Sequence, residues 1–196
     1  MKVIAVFDIG KTNKKLYLFN EAFQVVYSTQ ERWPEIEDDD GFPSDNLARV
    51  TQWMRECIST ILNDDKYILS GVNFSAYGAS LVHTDEQGEL VSPFYNYLKP
   101  LPAEVQENFF QQYGPPAVFC RDTASPALGL LNSGLQLYFL KYVKPQVFQR
   151  IKYSLHLPQY LSSIFSGNRV SDFTSLGCHT TMWHFKHHQY HRWIAE

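Results

Sequence analysis

Residues 7–15 read Phe7-Asp8-Ile9-Gly10-Lys11-Thr12-Asn13-Lys14-Lys15, and this segment sets how the chain begins to fold. The apolar, β-branched run over 3–7 predicts a buried strand, and 16–19 predicts a second one. Gly10 lies between them, so the segment is the turn of a hairpin, with Asp8 at the end of the first strand. A Walker loop instead opens a helix. Because the glycine admits close backbone approach and the following N–H groups can converge on an anion, the turn predicts a different class of phosphate site.

The next residues predict more strands and then an amphipathic helix. The alternating run 24–30 completes a three-strand meander, and 67–74 predicts a fourth strand. Ser44 or Asp45 is the expected N-cap of a helix. Apolar positions recur at helical spacing after that cap: Leu47, Val50, Met54, Ile58 and Ile61. Residues 80–83 with the turn 85–88 predict a further hairpin.

The second half of the chain predicts mainly helices. One begins after Pro102 and ends at Gly114, one spans 135–142, and one runs from Pro158 to Gly167. Residues 190–196 predict part of another helix. The sequence holds no internal repeat and no long linker, so one domain is expected, as the front part of a longer protein.

Composition narrows the classes of function. The chain has 196 residues, 44% of them hydrophobic, and a formal net charge of -3. Such a chain can bury a core but offers no broad basic surface, so nucleic acid is not an expected partner. No apolar run is long enough to span a membrane, so a membrane is not an expected partner either. Its three cysteines are far apart and no signal-peptide pattern precedes them, which predicts a cytoplasmic protein.

Four segments, taken in order, resemble the N-terminal domain of the FGGY-family carbohydrate kinases. They are Asp8 to Asn13, Ser75-Ala76-Tyr77-Gly78, Leu157 to Gly167, and Val170 to Ser175. The resemblance covers essentially the whole chain, and the second segment is most similar to the rhamnulokinase-like branch. It implies an α/β domain of the ribonuclease-H-like (actin-like ATPase) superfamily, in which a mixed sheet opens with a three-strand antiparallel meander and helices flank the sheet.

The resemblance also implies a reaction and its residues. These kinases move the γ-phosphoryl group of ATP to a sugar hydroxyl in a cleft between two domains, and ATP and Mg²⁺ are the implied cofactors. The residues that carry over are Asp8 for the metal, Gly10, Thr12, Asn13 and Lys15 for the ATP phosphates, and Ser75, Ala76, Tyr77, Gly78 and Asn132 for the sugar. The aspartate that accepts the sugar proton is expected beyond Glu196. Residues 1–196 are thus expected to be a truncated, inactive sugar-binding domain that lacks its nucleotide-binding partner domain.

Departures from the family pattern mark a divergent member. Lys99 ends the Tyr97-Leu98-Lys99 segment where the family usually has a carboxylate, and Gln136 and Gln159 replace a lysine and an acidic residue. These changes leave open whether the usual sugar pocket is kept. They favour, as an alternative function, a sugar or nucleotide sensor without turnover.

Simpler interpretations stand beside the functional ones. Asp8 can merely cap its turn, and Tyr77 can be a core residue. Lys11 and Lys14 are predicted to be solvated, and Asp172 to accept backbone N–H bonds. The five histidines over 179–191 match no zinc spacing, and the acidic run 35–40 is predicted to be a solvated loop without calcium. The apolar residues Trp53, Met54, Phe109 and Phe110 are predicted to be packed in a core or between domains.

The leading prediction is the sugar-binding lobe of a kinase acting on a ketose or polyol, with a homodimer left open. A nuclease of the same superfamily is the other enzyme considered. It requires a cluster of carboxylates around two metals, of which Asp8 and Glu56 supply part at most.

Overall fold

A computed structural model describes all 196 residues. Its strands and longer helices are, in order: β1 (Lys2–Ile9), β2 (Lys14–Phe19), β3 (Val25–Glu31), β4 (Ile36–Glu37), β5 (Pro43–Ser44), α1 (Leu47–Leu62), β6 (Ile68–Ala76), β7 (Leu81–Thr84), α2 (Ala103–Tyr113), α3 (Pro116–Asp122), α4 (Ser133–Val143), α5 (Pro145–Phe148), β8 (Tyr153–His156), α6 (Leu157–Ser166), α7 (Phe173–Leu176), β9 (Trp183–His184) and β10 (Gln189–Tyr190). Short 3₁₀ turns lie at Gly129–Leu131 and Arg192–Ile194. None of the helices is long and apolar enough to cross a membrane.

The main sheet has four strands in the order β3-β2-β1-β6. The three-strand meander is confirmed, because β1 pairs antiparallel with β2 and β2 pairs antiparallel with β3. β6 joins the other side of β1 in parallel, after the α1 crossover. The sheet is therefore mixed, and the carboxyl ends of β1 and β6 meet at one edge.

One face of this sheet carries the first core. Alternate β1 residues are buried on it, and the ring of Phe7 contacts those of Trp53 on α1 and Phe165 on α6, at centroid distances of 5.7 and 6.2 Å. α1 and α6 therefore cover the same face. Since strand side chains alternate, Asp8 points to the opposite face.

The second core is built from α2, α4 and the C-terminal segment. Phe109 lies at its centre, fully buried, with its ring 5.0 Å from that of Tyr138 and 5.3 Å from that of Trp193. Phe94 belongs to the first core and the adjacent Tyr95 to the second. This pair of residues joins the two cores into one molecule.

Two predictions about local structure are wrong, and a third is confirmed in part. The N-cap of α1 is Asn46, whose side chain accepts from Arg49 N, because Ser44 and Asp45 have other partners. The hairpin predicted at 80–88 forms only as a short turn, in which Thr84 bridges Leu90 antiparallel and Val91 N donates to His83 O at 3.1 Å. The full partner of residues 81–84 is β8. Residues 189–194 form a short strand and a 3₁₀ turn, not a helix.

Candidate functional site

The β1–β2 turn is tight and presents its polar side chains to solvent. Gly10 N donates to Asn13 O at 3.0 Å, and a Cβ on Gly10 would lie 3.1 Å from that oxygen. A larger residue here would thus be crowded against the backbone, and glycine also suits the close approach of a ligand. Thr12 and Asn13 are exposed. The prediction that Lys14 is solvated is wrong, because Lys14 is 3% exposed and its Nζ lies 2.6 Å from Asp45 Oδ1.

Lys15, Asp8 and Ser75 form a row across three strands. Asp8 is the register partner of Lys15 on β2 and of Ser75 on β6. Register partners point to the same face of a sheet, so the three side chains lie side by side on the face away from α1. Lys15 Nζ is 3.7 Å from Asp8 Oδ2, and the carboxylate is 43% exposed. The row places Asp8, the predicted metal residue, next to Ser75, the start of the segment predicted to contact the sugar.

Asp8 fits a hydrated magnesium ion. Its only ion-pair partner is farther away than a direct hydrogen bond, so its oxygens are open to solvent, and Mg²⁺ prefers carboxylate oxygen with several retained waters. The nuclease alternative lacks its carboxylate cluster. Glu56 is on α1, which packs on the opposite face of the sheet from Asp8.

A cavity of about 520 Å³ opens beside the row. It draws on three parts of the chain: the end of β6 with the residues after it, the start of α6, and the loop around α7. The residues around it include Ser75, Ala76, Gly78, Gln159, Asp172, Thr174, Ser175, Cys178 and His179. The structure thus brings together three of the four residues of the predicted segment 75–78 with the later motif segments, as a polar pocket next to the Asp8 row.

Asp172 is held by the motif that contains it. Its Oδ1 accepts from Ser175 N at 2.9 Å, and Gln159 and Thr174 also donate to this carboxylate. The Thr174 hydroxyl and the Ser175 N–H lower the pKa of Asp172 to about 2, against the opposing effect of burial. The predicted acceptance of a backbone N–H is confirmed, and Gln159 serves as a partner of Asp172.

Tyr77 and Asn132 are tied to the protein through their polar groups. The Tyr77 hydroxyl donates to Asp45. The burial of Tyr77 and, next, the negative charge of Asp45 raise the pKa of Tyr77 far above its ordinary value. Asn132 is fully buried, accepts from Leu128 N at 2.8 Å and donates to His179 O at 2.8 Å. Tyr77 is not among the residues that line the cavity, and its ring packs beside those of Phe94 and Tyr97. Asn132 would first have to break a hydrogen bond to the backbone before it could bind a ligand.

The acidic loop is not simply solvated, as predicted, but ion-paired. Asp38 is buried and lies 2.6 Å from Lys99 Nζ, and Asp39 and Asp40 each lie 2.7 Å from Lys144 Nζ. Burial would raise the pKa of Asp38, but the Lys99 ammonium and two backbone N–H groups lower it overall. Two lysines therefore occupy the positions that a cation would need.

Gln136 is a buried structural bridge. Its amide donates to Ala79 O and Leu130 O, each at 2.9 Å, and accepts from Leu81 N at 3.1 Å. The side chain therefore fastens the residues after β6 to α4, with no group left for a ligand.

Comparison with known proteins identifies the family. Residues 3–196 match the N-terminal domain of the FGGY family of carbohydrate kinases. The chain belongs to this family, and its fold is the ribonuclease-H-like, actin-like ATPase fold. Placement in the rhamnulokinase-like branch stays a prediction.

Individual relatives agree with this assignment. The chain is 24% identical over 186 residues to L-fuculokinase of Haemophilus influenzae, covering 90% of this chain and 39% of that protein. A carbohydrate kinase from Novosphingobium aromaticivorans superposes with a TM-score of 0.81 at 24% identity, over 95% of this chain and 39% of the other. A xylulose kinase from Rhodospirillum rubrum superposes with a TM-score of 0.83 at 14% identity, over 98% and 40%. The chain spans about two fifths of the length of these relatives.

Proposed function

We propose that this chain is the sugar-binding lobe of an ATP-dependent kinase that phosphorylates a hydroxyl of a ketose or related polyol. The observation that carries the proposal is the pairing of Asp8 with Ser75. It puts a carboxylate suited to magnesium one strand away from the polar cavity. A phosphoryl group bound at the first would therefore meet a hydroxyl bound in the second.

The chain's own residues have separate tasks in this proposal. Asp8 would hold the magnesium of MgATP, and that ion would supply neutralising charge at the phosphates. The exposed Thr12 and Asn13 donate to phosphate oxygens, Gly10 lets the backbone approach them, and Lys15 neutralises the β- or γ-phosphate. Ser75, Ala76, Tyr77 and Gly78 position the sugar, with Asn132 as a weaker candidate. The proposal assigns the proton of the reacting hydroxyl to an aspartate outside these 196 residues.

The test is ATP consumption by the full-length protein, with magnesium, against a panel of ketoses, aldoses and polyols. We expect turnover that depends on one sugar. Asp8→Asn should lower kcat at least about a hundredfold, because positioning and charge neutralisation carry most of the rate of phosphoryl transfer. Its sugar affinity and unfolding midpoint should not change.

Asp65→Asn, at an exposed aspartate after α1, is the matched control and should keep full activity. Near-normal turnover by the Asp8 variant would show that the metal role is wrong. A folded full-length protein that binds sugar or ATP without turnover would instead establish the sensor function.

A further inference from the structure

The backbone is strained where the chain passes the cavity. His179 has φ of 56° and Thr181 has φ of 65°, in the left-handed region that non-glycine residues rarely occupy. Such a conformation is unfavourable for a non-glycine residue and persists only where the surroundings impose it, most often at functional sites.

The surroundings here fix the strained segment from several sides. Asn132 Nδ2 donates to His179 O at 2.8 Å, Gly134 N donates to Thr180 O at 2.9 Å, and Thr181 N donates to Ser125 Oγ at 2.9 Å. A Cβ on Gly134 would lie only 2.5 Å from Thr180 O, so α4 begins with its backbone pressed against the segment. These bonds use backbone atoms of the segment and leave the His179 imidazole free.

His179 is exposed and is one of the residues that line the cavity, together with Ser75 and Gly78. We propose that His179 is a substrate-contacting residue, which hydrogen-bonds an oxygen of the sugar held in this cavity. A ring nitrogen can donate to or accept from a hydroxyl, which suits an uncharged polyhydroxy ligand. The inference rests on the proposed kinase function and adds a sugar contact from the α7 loop.

The test distinguishes the effect of losing the His179 side chain from the effect of relieving the backbone strain at this residue. Glycine adopts positive φ without cost, so His179→Gly removes the imidazole while relieving the backbone. In the full-length protein with its sugar and MgATP, this variant should raise the sugar KM about tenfold, the loss of roughly one hydrogen bond. The KM for ATP should not change. The urea midpoint of unfolding should not fall. His179→Asn, which tolerates this φ and keeps a hydrogen-bonding group, should give an intermediate sugar KM.

His188→Gly is the control. His188 is also exposed with positive φ, at 50°, but lies in the β9–β10 turn away from the cavity, so its sugar KM should equal that of the wild type. An unchanged sugar KM in His179→Gly, beside an active wild type, would overturn this inference alone. A KM change accompanied by a lower unfolding midpoint would overturn it in favour of a structural role. A wild type that neither binds nor phosphorylates any sugar would overturn the kinase function and this contact together.

Discussion

The hydroxyl and the ring of Tyr77 have different contacts, so they can have different roles. Its hydroxyl is committed to Asp45, while its ring packs 6.1 Å from Phe94 and 5.9 Å from Tyr97. A sugar could use the ring, through stacking, without disturbing the hydroxyl. Mutations can therefore test the hydroxyl and the ring of Tyr77 separately.

We expect Tyr77→Phe to lower the free energy of unfolding by about 1 kcal/mol, the net value of one hydrogen bond. Asp45 stays compensated by Lys14, so the loss is limited. The sugar KM should not change in Tyr77→Phe but should rise in Tyr77→Ala, as steady-state kinetics of the full-length protein would show. Tyr27→Phe, on the exposed edge strand β3, is the control for hydroxyl removal. An equal rise of KM in Tyr77→Phe and Tyr77→Ala would mean that the hydroxyl, not the ring, binds the sugar.

The sequence predicts the position of a single residue correctly where local backbone geometry decides it. Gly10 is an example, because its place in a hairpin turn follows from the strands on either side of it. The burial of Lys14 and the strain at His179 could not be predicted, since both depend on partners far along the chain, Asp45 for the first and Asn132 for the second. No local pattern in the sequence signals either contact.

Ion pairs between aspartates and lysines hold the loop that contains β4 and β5. Asp38 and Lys99 are both buried, so each compensates the other, and removing one partner leaves an unpaired buried charge. The nearby Lys152–Glu86 pair is 3.3 Å apart but exposed. The two pairs offer a direct comparison.

We expect Lys99→Met to lower the free energy of unfolding by about 3–5 kcal/mol. Lys152→Met should cost about 0–1 kcal/mol, because water and salt already screen that pair. Combining Asp38→Asn with Lys99→Met should restore much of the loss. Urea denaturation at pH 7 measures all three, and equal costs for the two lysine variants would contradict a buried pair.

Elements bounded by proline and glycine followed the sequence closely. α6 begins next to Pro158 and ends at Gly167, whose φ is 71°, and α2 ends at Gly114. The partner of β7 could not be predicted, because β8 lies far along the chain and strand pairing leaves no local signal. The N-cap of α1 was missed by one residue, because Asp45 is taken by Lys14 and Tyr77.

The stability of the whole chain should depend on pH through buried histidines. Burial lowers the pKa of His83 to about 3 and that of His156 to about 4. His83 Nε2 has no hydrogen-bond partner, and His156 Nε2 bonds the Ser133 hydroxyl at 2.8 Å. Both histidines lie in the β7–β8 ladder, at the junction of the sheet with the helices.

We therefore expect the free energy of unfolding to fall as the pH drops from about 6.5 towards 4. Unfolded histidine takes up a proton near pH 6.5, while the folded residues stay neutral, so acid favours the unfolded chain. For His156 alone the loss is on the order of 3 kcal/mol at pH 4. The carboxylates with lowered pKa lose their stabilisation only below their ordinary range, near pH 4, so this window reports the histidines.

Urea midpoints at half-unit steps of pH measure this dependence. His156→Gln keeps a hydrogen-bonding group and cannot charge, so its curve should be flatter than that of the wild type. A variant with an exposed histidine removed, His188→Gln, should keep the full slope. Parallel curves for all three proteins would exclude buried histidine as the cause.

Thr84 and Tyr153 are register partners at the end of the β7–β8 ladder. The whole stretch 85–152, with α2 to α5, therefore leaves the sheet domain and returns to it at one point. Residues can be added to or lost from such an excursion at little entropic cost, since its ends are already closed by the ladder. Insertions and deletions within this excursion are therefore expected to leave the register of β1, β2 and β6 unchanged.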